Sequence, residues 1–121
     1  MYPPIFRAVA SAPAATAVLG AAPVRFYPFG EAPQDVAHPY AVWRVISGSP
    51  ENYLAGRPDI DGFGLQVDVY GSDANSVTAA ARAVRDAVEL RAHITRWGGQ
   101  DRDPDTRNYH ISFDVDWLTP R

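Results

Sequence analysis

Cysteine and lysine are both missing from these 121 residues, whose eleven cations are all arginine. Without cysteine there is no disulfide framework, no thiolate nucleophile and no zinc–thiolate site. Without lysine there is no Schiff-base chemistry and no Walker-type phosphate lysine. The formal charge of −3 is mild, so there is no basic footprint for nucleic acid and no polybasic attraction to a membrane surface. No run approaches the roughly 18 apolar residues of a membrane span. The N-terminal segment 1–22 superficially mimics a signal peptide through its Ala-rich stretch 11–22. No positive charge precedes its apolar part, however, Pro3 and Pro4 stand at its start and Arg7 falls inside it. A soluble, unprocessed chain is therefore expected.

What is present suits one globular domain, expected over 1–121. A hydrophobic content of 46% with 21% charged residues argues against disorder. A chain of this length can bury about two-thirds of its unfolded surface. The clearest pattern is alternation. Residues 62–71 place Phe63, Leu65, Val67 and Val69 on one face, and residues 108–118 do the same with Tyr109, Ile111, Phe113, Val115 and Trp117. A period of two marks strands with one buried face. Between them, 73–90 reads as a helix with Ser72 as its N-cap and Val77, Ala81, Val84 and Val88 along one side. Arg82–Asp86 and Arg85–Glu89 are possible i,i+4 pairs on its solvent side, each contributing about half a kcal/mol at most.

Upstream, Pro3 and Pro4 suit a first helical turn ahead of Ile5, Phe6, Val9 and Ala10. Ser11 can cap a second short helical turn that Gly20 stops. Residues 24–29 read as a short strand, 40–47 as a strand inside the sheet, 92–97 as another short strand and 98–107 as a polar turn. The segment 48–62 is long for a hairpin loop and carries Tyr53, Leu54 and Ile60. Either it folds back on its own sheet, or it is an arm that docks on a partner through Tyr53, Leu54 and Arg57. The fold class expected is α+β: a mixed, mainly antiparallel sheet of four to five strands with helices packed on one face.

Few motifs suggest chemistry. Asp101, Asp103 and Asp105 invite a calcium reading. An EF-hand loop opening at Asp101 would need glycine at its sixth position and glutamate at its twelfth, where Thr106 and Ser112 stand; a solvated hairpin tip is the simpler account. His38, His93 and His110 are not at ligand spacing to one another. If the strands pair, His110 lies beside Asp68 or Asp114, but no serine in a strained elbow completes a triad. Asp68, Asp114 and Asp116 share one strand face. Paired carboxylates serve glycosidases, yet an open sheet face offers no cleft. The same three acids also fit plain solubility, or an acidic surface facing a neighbour's arginine or a passing polyanion. No cofactor and no metal is expected, and no catalytic residue.

In chain order the pieces carry A-V-L-G (17–20), V-R-F-Y-P-F-G (24–30), A-P-Q-D (32–35) and H-P-Y (38–40). The strand L-Q-V-D-V-Y-G (65–71), an Ala/Val helix and D-R-D-P-D-T-R-N-Y-H-I-S-F-D-V (101–115) follow. Over about 5–118 this resembles the phage tail-terminator or tail-completion family. The resemblance implies an α+β subunit of a homo-hexameric ring in the virion, at the head-proximal end of the tail, assembled in host cytoplasm. Its implied partners are further copies of itself, the tail tube protein and the head–tail connector or stopper, with DNA passing through the lumen without specific binding. It implies no catalysis. Asp68, Asp114 and Asp116 would then line the lumen or an interface. Two alternatives are a neck or head-completion component of the same particle, and a small bacterial ligand-binding or hydrolytic domain using the three acids.

Overall fold

In the computed structural model, which describes residues 3–51, 56–57 and 60–120, three helices and five strands follow one another. They are α1 (Ile5–Ala10), α2 (Pro13–Leu19), β1 (Phe26–Pro28), β2 (Tyr40–Pro50), β3 (Ile60–Gly71), α3 (Ala74–Val88), β4 (His93–Arg102) and β5 (Tyr109–Pro120). The strands form one sheet in the order β1-β2-β3-β5-β4. β1 runs parallel to β2, and every other pairing is antiparallel. The helices lie on one face, so the α+β expectation of a mixed, mainly antiparallel sheet holds.

The alternation read from the sequence decides which face is covered. Leu65, Val67 and Val69 of β3 and Ile111, Phe113, Val115 and Trp117 of β5 are all buried beneath α3. The helix answers with Val77, Ala80, Ala81, Val84, Ala87 and Val88. These short side chains let the helix axis come close to the sheet, and Gly71 marks the limit. A Cβ there would stand 2.9 Å from both the Cβ and the backbone nitrogen of Val77. Ile5, Val9, Ala15, Leu19 and Phe26 extend the same core towards the β1 side.

Several boundaries differ from the sequence expectation, each for a local reason. The α3 cap is Asp73, not Ser72: its carboxylate accepts a hydrogen bond from the Ser76 backbone N–H at 2.7 Å. α2 starts at Pro13 with no side-chain cap, because Ser11 donates its hydroxyl back to the Arg7 carbonyl. Gly20 does end α2, at φ +86°. Of the two i,i+4 pairs, Arg85–Glu89 forms at 3.5 Å, whereas Asp86 is taken by Arg85 at 2.8 Å. That leaves Arg82 without an ion-pair partner among the described residues.

The stretch 98–107, which reads as a polar turn, is half strand. β4 runs on to Arg102 opposite Tyr109, accommodating its glycines through register shifts at Ile94/Arg96 and Trp97/Gly99. The segment 48–62 is also partly strand, with Gly48, Ser49 and Pro50 opposite Phe63, Gly62 and Asp61. Only 51–59 remains between the two strands.

Overpacking at the strand–helix junction is the most economical test of this close approach. Gly71→Ala is expected to lower stability by about 1–3 kcal/mol, read as a reduced denaturant midpoint with unchanged slope. A neutral substitution would mean that β3 and α3 are not held this tightly.

Candidate functional site

Among the described residues, side chains of several strands converge without a covering helix on the sheet face away from α1, α2 and α3. Register builds it. Tyr40 of β2 is opposite Tyr70 of β3, which is opposite His110 of β5. Directly opposed side chains stand about 5 Å apart, so the three rings stack in a row. Tyr40 and Tyr70 have centroids 5.0 Å apart with planes 19° from parallel; Tyr70 and His110 are 4.9 Å apart at 22°. His38 closes the row edge-on to Tyr40 at 5.3 Å.

A polar chain crosses four strands beside these rings. Arg44 of β2 donates to the Gln66 side-chain carbonyl at 2.9 Å. The Gln66 amide donates to both carboxylate oxygens of Asp68, at 3.1 and 3.3 Å. Asp68 stands 2.8 Å from His110 Nε2, and His110 Nδ1 stands 3.2 Å from Asp101 on β4. Both ring nitrogens therefore face carboxylates, an arrangement that an imidazolium satisfies with two donated hydrogen bonds and a neutral ring cannot.

The titration of the pair follows this geometry. The Asp68 hydrogen bond raises the His110 pKa above its ordinary value, against partial burial and with help from the charges of Asp68 and Asp101. Burial pushes Asp68 up, but the His110 and Gln66 hydrogen bonds and the charges of His110 and Arg44 together outweigh it and leave Asp68 lowered. Burial also raises the phenol pKa values of Tyr40 and Tyr70.

Asp68, Asp114 and Asp116, grouped on one face by the sequence pattern, do share this open face. Asp68 is held as described, Asp114 lies 3.5 Å from Arg96, and Asp116 is exposed opposite Gly64. The alternatives left open for His110 resolve to Asp68, with Asp101 as a second partner. The sequence reading did not group Tyr40, Tyr70 and Asp101 with His110, because only the register brings them together. Ser112, also on this face, is not among the hydrogen-bond partners of His110, which are Asp68 and Asp101. Among the described residues no group of three or more His, Asp or Glu is placed to hold a metal ion. At the β4–β5 turn, Asp103 accepts from the backbone N–H groups of Asp105 and Thr106 at 2.8 and 3.3 Å, which makes it part of the turn.

The far end of the open face has a different character. Residues 46–50 of β2 are all exposed, although 47–50 pair with β3 and Ile46 stands at the register shift between Val45 and Ser47. Ile46 and Leu118 are 48% and 61% exposed there, on either side of Gly62 and Gly64. Of the arm residues expected to dock, Arg57 is exposed, whereas Tyr53 and Leu54 lie outside the described residues.

Comparison with known proteins gives two findings. The family model described as Tail completion protein gp17 matches residues 3–120. A chain from the virion of a native gene transfer agent particle shares the fold with a TM-score of 0.70 at 13% identity, over 97% of this chain and 92% of that one. No curated protein matches significantly.

The His110 clasp predicts a pH dependence whose sign is fixed. A raised histidine pKa gives stability that is fully present below the unfolded value of about 6.5 and is lost as pH rises through the folded value. The lowered Asp68 gives stability present above about pH 4 and lost as pH falls through its folded value. The wild type should therefore exceed His110→Gln by about 1 kcal/mol between roughly pH 4 and 6.5, and the gap should close at higher pH. Denaturant titrations at pH 5.5 and 9 read this directly; equal gaps at both would mean that folding leaves the His110 pKa unchanged.

Proposed function

Because the chain belongs to the tail completion protein gp17 family, and is therefore a structural protein of a virion tail and not an enzyme, we propose that it is the tail terminator. In this reading copies of the chain form a homo-hexameric ring that caps the tail tube and joins it to the head connector. The hydrolytic alternative for Asp68, Asp114 and Asp116 falls with the family's structural role.

The observation that carries the proposal is the β2–β3 hairpin. Its outer half continues as a paired ladder after β2 has left the core, with all of 46–50 exposed and Ile46 and Leu118 uncovered at its base. A ladder without a covering layer is marginal in water, and exposed apolar side chains beside it fit a surface completed by another protein. The arm at its tip carries Tyr53, Leu54 and Arg57, residue types that serve as interface anchors because Tyr and Arg combine apolar area with directed hydrogen bonds. We assign its docking to a neighbouring subunit or the tube. The acidic side chains of the open face suit a lumen through which DNA slides, since phosphate affinity grows with each cationic contact and carboxylates add none.

Mass measurement and imaging of the chain, free and on purified tails, test the ring. Six copies around the tube end are expected, and monomers in both states would overturn the reading. Replacing Tyr53 and Leu54 by Ser tests the arm. Melting of the free chain should hold within a few degrees while tail assembly is lost. A sharp fall in melting would instead make these residues part of the chain's own core.

A further inference from the structure

The two edges of the sheet are unlike, and unlike in a complementary way. At the β4 edge, Trp97 is 49% exposed, yet its ring already packs on buried Phe113, with centroids 5.1 Å apart. It lines a cleft between β4 and α3 together with Arg82, Arg85 and Gln100. At the β1 edge lies an apolar groove of about 680 Å³ walled by Phe6, Val24, Phe26, Tyr27, Pro28 and Trp43. The two features occupy the same layer, because the cleft is roofed by α3 and the groove by α1 and α2. One chain cannot bring them together, since three strands separate β1 from β4.

We infer that neighbouring copies of this chain meet edge to edge, with Trp97 of one copy seated in the β1-edge groove of the next. The inference rests on the ring reading above and adds to the arm a subunit contact between the two sheet edges. Trp97 is a pre-oriented anchor: its packing on Phe113 limits the side-chain entropy lost on docking, and buried tryptophans carry a large share of interface energy. Charge supports a second copy as the occupant. Arg82, beside Trp97, has no ion-pair partner among the described residues. The loop 29–39 beyond β1 carries Glu31 and Asp35 and no arginine. Asp35 lines a hollow that shares Ala21, Pro23 and Tyr27 with the groove. Arg25 lines the same hollow but spends its guanidinium on the Pro39 and Val18 carbonyls, so docking the indole brings an unpaired cation to the side of the groove where Asp35 stands. The contact is heterologous, joining different patches on the two copies, and such contacts close into rings when the rotation between copies permits.

The absence of cysteine makes the test clean. Ala21→Cys lies on the groove and Gln100→Cys on the Trp97 cleft, both at exposed positions. Mild oxidation of tails carrying the double variant should give a ladder of crosslinked multimers up to the ring size, and either single variant should give none. Independently, Trp97→Ala should leave melting of the free chain within a few degrees while ring formation falls at least tenfold, with Trp97→Phe recovering part of it. Rings that contain the double variant but release only monomers overturn this contact and leave the ring reading standing, as does unchanged assembly of Trp97→Ala. Wild-type tails that hold no ring of this protein would remove the ring reading itself.

Discussion

The seam between α3 and the middle of the sheet governs everything else in this molecule. Ala80, Ala81, Val84, Ala87 and Val88 are too short to hold a helix at the usual distance from a sheet, so the helix settles against Leu65, Val67, Val69, Phe113 and Val115. Interiors are packed as densely as organic crystals, and Gly71 leaves no slack where β3 turns into the helix. With α3 spent on β3 and β5, and the short helices α1 and α2 on the β1 side, no element among the described residues covers the opposite face. The open face follows from how few helices the chain has and how tightly they sit.

That uncovered face is organised by register. The row Tyr40–Tyr70–His110 and the chain Arg44–Gln66–Asp68–His110–Asp101 draw residues from β2, β3, β4 and β5. Each member is an ordinary surface residue on its own strand. Together they tie the strands laterally on a side with no apolar layer, and the stacked rings keep water off one flank of the His110–Asp68 pair. Partial burial strengthens the hydrogen bond and costs the charges some hydration. The opposite signs of the two pKa shifts record the balance.

Much of this architecture was legible in the sequence wherever the physical signal is local. A period of two over 63–69 and 109–117 gave the buried face correctly, and Val77, Ala81, Val84 and Val88 gave the helix face. The acids Asp68, Asp114 and Asp116 came out on one side for the same reason. Signals that depend on pairing were hidden. Nothing near Tyr70 announces that Tyr40 and His110 will flank it, and Asp101 looks like one more acid in a turn. Gly98 and Gly99 misled because glycine pairs usually end strands, whereas here a bulge absorbs them. Ser72 lost the cap to Asp73, a choice between adjacent good caps that composition alone does not settle.

The two irregularities in β4 have a further consequence. An exposed border strand of ten residues is a ready template on which other chains can lay down hydrogen-bonded sheet. Here the ladder shifts twice, Gly99 sits at φ +103°, and arginines stand at 96 and 102. A strand bent in this way offers no continuous row of amide groups at even spacing. The β4 edge is therefore a poor template for the strand-on-strand addition that builds fibrils.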